Sequence, residues 1–182
     1  MSDLVVVTGP PGAGKTTVAR FLSRMFEPSA LVAGDDFFAF IDQGYIAPWT
    51  AEAHQQNEIV VEAAAAAAGR LTLGGYTVVY DGAIGPWFLE PFGEAAALDC
   101  LHYVLLLPPE RVCVERDRSR VGHGFTDLDA ARHMYREFAD ADIDPRYVVT
   151  VTGAPPDIAS SIFELMKAGT LRVVTAPSAR PS

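Results

Sequence analysis

Cysteine, positive charge and long apolar runs are all scarce in this chain, and each shortage argues against a class of function. Only Cys100 and Cys113 occur among the 182 residues, without CxxC or Cys/His spacing, so neither a disulfide scaffold nor a thiolate metal centre is expected. They read instead as free thiols of a reducing compartment, one at a strand start and one inside a helix. The four histidines, His54, His102, His123 and His133, do not form a metal cluster by spacing either. Basic side chains number 14 against 23 acidic ones, a formal net charge of -9, so most of the surface repels a polyanion and nucleic acid is not an expected partner. No apolar run reaches the roughly 18 to 20 residues of a membrane span, and no basic start leads into an apolar leader. A soluble, cytoplasmic protein with no membrane partner is expected. No repeat at a fixed period is found.

What is present is a chain that is 49% hydrophobic and 20% charged, enough for one core. A single domain over residues 1–169 is expected, with 170–182 as a C-terminal tail. β-branched runs at 4–7, 30–33, 76–80, 101–107 and 147–151 predict five strands. Helical spacing or composition predicts helices over 15–26, 51–68, 86–98, 108–118, 127–139 and 155–167. Gly69 is expected to cap the alanine-rich second helix, Pro86 to open the third, and Asp127 to cap the fifth. Residues 37–50 have no firm period and read as a short helix plus a loop. Strands alternating with helices predict an α/β fold, a parallel sheet sandwiched by helices, because parallel neighbours need crossover connections. Ligands of such sheets bind beyond the carboxyl ends of the strands.

The strongest signal lies at the first of those ends. Gly9-Pro10-Pro11-Gly12-Ala13-Gly14-Lys15-Thr16 fits GxxxxGK[ST], the Walker A pattern, directly between a predicted strand and a predicted helix. Glycines let the backbone wrap around phosphate oxygens, and the amides there and at the helix start point at the anion. Lys15 adds charge near the β- and γ-phosphates, Thr16 supplies a hydroxyl for magnesium, and Thr17 supports the neighbouring phosphate. Asp81, at the end of the third strand, is the acidic partner of Thr16 for Mg²⁺ if that strand neighbours the first; the competing reading is a cap on the next helix. ATP and Mg²⁺ are therefore the expected ligands.

This order of parts resembles the nucleoside-monophosphate-kinase-like P-loop kinases, the group that includes adenylate, shikimate and gluconate kinases and chloramphenicol phosphotransferase. The resemblance covers residues 4–167 and rests on GPPGAGKT, on GDD after the second strand, on VVYDG after the third, and on ERDRSRVGHG before the last. It implies the P-loop NTPase fold with five parallel strands in the order 2-3-1-4-5, and a small arginine-bearing lid near 116–127. It also implies a carboxylate after the second strand that orients the acceptor hydroxyl and takes its proton. In Gly34-Asp35-Asp36 the gluconate-kinase-like register selects Asp35, our assignment, while a chloramphenicol-phosphotransferase-like register selects Asp36. Arg116 would stack near adenine or reach phosphate, and Arg120 would contact the transferring phosphoryl group. Arg118 faces another way, and His123 is the lid histidine worth testing. Gly153 meets the adenine through its backbone or simply turns the chain. Of Arg132 and Arg136, four apart on one helix face, one faces the site or both pair with Glu137 or Asp140.

Aromatic residues Phe37, Phe38, Tyr45 and Trp49, with His54, follow the proposed base, and Trp87 and Phe88 follow the third strand. Trp49 and Trp87 are the candidate walls of an acceptor pocket, with core packing as the competing reading. No arginine occurs in 35–58 or 81–98, which does not suit a strongly anionic acceptor such as shikimate. The function expected is ATP-dependent transfer of the γ-phosphoryl group to a hydroxyl of a small molecule, by a monomer or homodimer. The alternative is a nucleotide-dependent switch or regulatory ATPase without such an acceptor. A 5′-hydroxyl polynucleotide kinase is disfavoured by the acidic balance.

Overall fold

The computed structural model describes residues 2–118, 128–150 and 153–175. Strand β1 (Leu4–Thr8) has every side chain buried, as an apolar run flanked on both faces must. It feeds the glycine-rich turn and α1 (Lys15–Ser23), whose Val18, Ala19 and Leu22 face the core at helical spacing. Strand β2 (Ser29–Ala33) follows, then a 3₁₀ segment over Gly34–Phe40 where the sequence has no firm period. Next come α2 (His54–Leu73), β3 (Thr77–Asp81), α3 (Pro86–Ala96) and β4 (Cys100–Leu106). The chain continues through α4 (Glu110–Arg118), α5 (Leu128–Ala139), β5 (Val148–Val149) and α6 (Pro155–Lys167).

The parallel strands lie in the order β2-β3-β1-β4-β5, flanked by helices, as expected. The register sets Val7 beside Asp81 and Ala33 beside Asp81, so the ends of β1, β2 and β3 converge on one edge. Beyond Gly169, where the sequence points to a tail, Arg172–Val174 forms β6 and runs antiparallel to the start of β4. The short β5 pairs only Leu105 and Leu106, which leaves the first half of β4 open to a second neighbour. Among the described residues no helix is long and apolar enough to cross a membrane.

Gly69 is not a helix cap. Helix α2 continues to Leu73, and Gly69 sits where α2 crosses α3, so close that a Cβ there would lie 1.9 Å from the Ala96 carbonyl oxygen. The buried Ala64, Ala65 and Ala68 serve the same end: small side chains on this face let α2 pack closely. Propensity alone favours alanine over glycine in a helix by about 1 kcal/mol. Packing reverses the sign, because the carbonyl cannot yield without moving α3. Gly69→Ala is expected to destabilise the protein by about 1–3 kcal/mol, read from the urea midpoint; a stabilised variant would show that the two helices separate freely.

Candidate active site

The turn after β1 is moulded by its neighbours. Gly9 and Gly12 have φ of 145° and 75°, and a Cβ would lie 2.3 Å from the Leu106 oxygen at Gly9 and 2.2 Å from the Cys113 oxygen at Gly12. Only glycine fits between this loop, the end of β4 and α4. Gly14 is left-handed too, Ala13 is buried, and Thr16 and Thr17 lie in the first turn of α1. The Lys15 ammonium donates to the loop's own carbonyls at Gly9 (2.8 Å) and Pro10 (3.1 Å), which holds it at the mouth of the cradle. Arg116 crosses from α4 to the Ala13 oxygen at 3.4 Å, on the side of the glycine-rich loop. Burial pushes the Cys113 thiol up to about 11, against the pull of Arg116 and Lys15, so it stays protonated behind the loop at neutral pH.

Tyr80 organises the next part of the site, and sequence reasoning missed it because a tyrosine inside an apolar strand reads as core. Its ring occupies the space that side chains at Gly34 and Gly82 would fill: a Cβ would come within 2.0 Å of its hydroxyl at Gly34 and within 2.7 Å of its ring at Gly82. Phe92 meets the ring edge-on at 4.9 Å. Burial, then the Asp35 and Asp81 carboxylates, raise the pKa of this phenol, which keeps it neutral. Asp81 is itself buried, beside the phosphate loop.

The loop after β3 is held at both ends of one peptide pair. The Ile84 amide donates to Thr8 Oγ1 at 2.8 Å, and Tyr103 Oη donates to the Ile84 oxygen at 2.7 Å. This clamp ties the loop to β1 and β4 and presents Trp87 and Phe88 on α3. A second loop is tied to α2 by neighbouring amides: Gln56 accepts from the Ile46 amide and donates to its carbonyl, and Asn57 Nδ2 donates to the Pro48 oxygen at 2.7 Å. That loop presents Tyr45 and Trp49.

Between these loops lies a cavity of about 670 Å³. Lys15, Asp35, Phe38, Trp49, Trp87 and Phe88 line it, and Tyr80, Asn57 and Asp117 contribute to its walls. Asp36 is not among the lining residues, and Phe37 packs on the core and on Phe40 instead. The far wall is α5, which the sequence offers to the site only through Arg132 or Arg136; the lining residues are instead His133, Met134, Glu137 and Phe138, a stripe at helical spacing that periodicity alone could have found. Arg132, for which the sequence leaves open facing the site or pairing with Glu137 or Asp140, is not a lining residue and reaches Asp129 at 3.5 Å and Glu110 of α4 at 4.0 Å, because α4 lies against α5. Arg118 lines a separate shallow groove with Glu110 and Arg132. Gly153 is exposed, with φ of 143° and open space beside it, and does not line the cavity. Arg120, His123 and Asp127 lie outside the described residues. Among the described residues no group of three His, Cys, Asp or Glu side chains is set to hold a metal.

One protein family, described as an AAA domain, matches residues 4–141. Among curated proteins there is no match. A sugar kinase from Janibacter sp. is similar in structure, with a TM-score of 0.69 and 18% identity, over 92% of this chain and 95% of that one. The Deinococcus radiodurans tunicamycin resistance protein gives 0.66 and 15%, over 97% and 100%. Shikimate kinase from Acinetobacter baumannii, in complex with shikimate, gives 0.56 and 21%, over 94% and 96%. The architecture is that of the P-loop small-molecule kinase group.

The clamp on Ile84 is testable by itself. Tyr103→Phe leaves a buried carbonyl without its donor and is expected to cost about 1–3 kcal/mol in denaturant unfolding. An unchanged midpoint would mean that the loop keeps its place without the phenol.

Proposed function

Since the chain belongs to this AAA-domain family and has the fold of the P-loop small-molecule kinases, we propose that it is an ATP-dependent phosphotransferase acting on a hydroxyl of a small molecule. One observation carries the reading: Lys15 at the mouth of the phosphate cradle and Asp35 after β2 line the same cavity as both tryptophans. A cavity of about 670 Å³ suits a compact organic ligand, for which sites span about 300–1,000 Å³. A switch would need the cradle but not a walled space in front of it.

In this mechanism the N–H groups of the loop's non-proline residues and of the start of α1 bind the ATP phosphates. Lys15 leaves the Gly9 and Pro10 carbonyls for the β- and γ-phosphate oxygens. Arg116 steadies the nucleotide from above the loop, Gly153 approaches the adenine through its backbone, and Arg120 reaches the transferring group. Trp49 and Trp87 hold the acceptor with its hydroxyl beside Asp35. The hydroxyl oxygen bonds to the γ-phosphorus, the bond to the β,γ-bridging oxygen breaks, the proton passes to the Asp35 carboxylate, and ADP leaves. Thr16 and Asp81 offer the hard oxygen donors that magnesium takes, and the β1–β3 register sets Asp81 beside the loop. Magnesium bound there would offset the charge that builds on the phosphates.

Three substitutions test the assignment, with ADP release and mass detection of the phosphorylated acceptor as readouts. Lys15→Ala is expected to lower turnover about 10²- to 10³-fold with the fold intact; unchanged turnover would sink the nucleotide site. Asp35→Asn should cut acceptor phosphorylation about 10²- to 10⁴-fold with little change in ATP binding, while Asp36→Asn changes little. The reverse pattern would move the base to Asp36. ADP release that Lys15→Ala abolishes but that is indifferent to every acceptor and to both aspartate substitutions would favour the switch.

A further inference from the structure

The charges around the cavity are lopsided. Among the described residues Asp35, Asp117 and Glu137 line it against a single lysine, Lys15, and that lysine is held on the side of the glycine-rich loop by Gly9 and Pro10. No arginine is among the described lining residues; His54 and His133 are the other nitrogen bases there. His54 is stacked on Phe88 at 5.8 Å, and His133 pairs with Glu137 at 3.6 Å. An anionic acceptor would therefore enter a space whose acceptor-side charges are carboxylates, and it would be repelled before any contact formed.

The walls are aromatic faces left open to solvent. Trp49 and Trp87 remain 40% and 45% exposed, and Trp87 packs against Phe138 with ring centroids 5.4 Å apart. Glu137 of α5 lines the same cavity as this aromatic pair. A carboxylate beside aromatic faces is the chemistry that holds an ammonium group: the charge attracts it and the ring quadrupoles replace part of its water. In the opposite wall, Asn57 spends its amide nitrogen on Pro48, which leaves Oδ1 as an acceptor; among the described residues neither Asn57 Oδ1 nor Thr50 Oγ1 has a hydrogen-bond partner. Both residues line the cavity, with these two oxygens buried beneath its surface.

We infer that the acceptor is a hydroxylated organic cation, a compound with a ring or other apolar face, at least one hydroxyl and a protonated amine, and that Glu137 selects the amine. The inference rests on the phosphotransfer reading for the fate of the hydroxyl, but recognition can be measured without turnover. The chain has two tryptophans, Trp49 and Trp87, and both line the cavity, so tryptophan emission reports occupancy directly.

The probes are 4-(aminomethyl)benzyl alcohol, its neutral analogue 4-methylbenzyl alcohol and the anion 4-(hydroxymethyl)benzoate, titrated into the full chain with and without a non-hydrolysable ATP analogue. The amine is expected to bind about 10-fold tighter than the neutral compound, with the anion weakest. Glu137→Gln should bring the amine and the neutral compound to within about 2-fold of each other. Glu164→Gln, at a surface pair with Lys167 on α6, should keep the wild-type order. An anion that binds as well as the amine, an amine no better than its neutral analogue, or an amine that leaves the emission unchanged up to its solubility limit overturns the inference. A preference that survives Glu137→Gln overturns the role of Glu137. ADP release separates the two readings: an amine that binds in the expected order without stimulating ADP release supports the recognition chemistry and counts against phosphotransfer. An anion that binds best and stimulates ADP release does the opposite.

Discussion

Everything at this site hangs on one close approach of backbones. The glycine-rich turn after β1 lies so near the ends of β4 and α4 that Gly9 and Gly12 have no room for a side chain. That contact does more than shape a cradle for phosphate. It registers α4 against the turn, which brings Arg116 to the Ala13 carbonyl and buries Cys113 behind the loop. Parallel pairing of β1 with β3 and β4 then places every functional loop on the same edge of the sheet. The cradle and the catalytic carboxylate candidates are therefore consequences of one strand order.

The two halves of the site are built from opposite materials. On the side proposed for phosphate, backbone amides and Lys15 present positive charge. On the side proposed for the acceptor, aromatic rings and carboxylates enclose a cavity, and Tyr80 sits at its base as a neutral phenol with Asp35 and Asp81 both contributing to its raised pKa. Such a division suits phosphoryl transfer, because the donor is strongly anionic and a repelled anionic competitor cannot occupy the acceptor half. The Tyr80 ring accounts for the glycine before Asp35 and the glycine after Asp81: each yields its side-chain space to this tyrosine.

Rigidity comes from side chains that take no part in the proposed chemistry. Thr8 and Tyr103 hold the two polar groups of Ile84, and Gln56 and Asn57 hold the carbonyls of Ile46 and Pro48. Each of these bonds joins residues distant in sequence or in different elements, so each fixes a loop at the cost of few groups. Loops tied in this way keep Trp87 and Trp49 facing one space before any ligand arrives, which lowers the ordering cost of binding.

Local signals carried the phosphate loop, the alternation of strands and helices, the span of α6 and the candidates Asp35, Trp49 and Trp87, because each depends on spacing within a few residues or on a short motif. The sequence did not carry the features that depend on what meets across the fold. Gly69 reads as a cap until α3 is seen pressing on it, and Tyr80 reads as core until two glycines are seen making room for it. The α5 stripe of His133, Met134, Glu137 and Phe138 has a period but no address until the helix is docked beside α3 residues. β6 is too short to announce itself, and exists because the two-residue β5 leaves half of β4 unpaired. Spacing along a chain determines which faces are apolar and which turns can hold an anion; which face meets which is settled only when distant segments compete for the same buried volume.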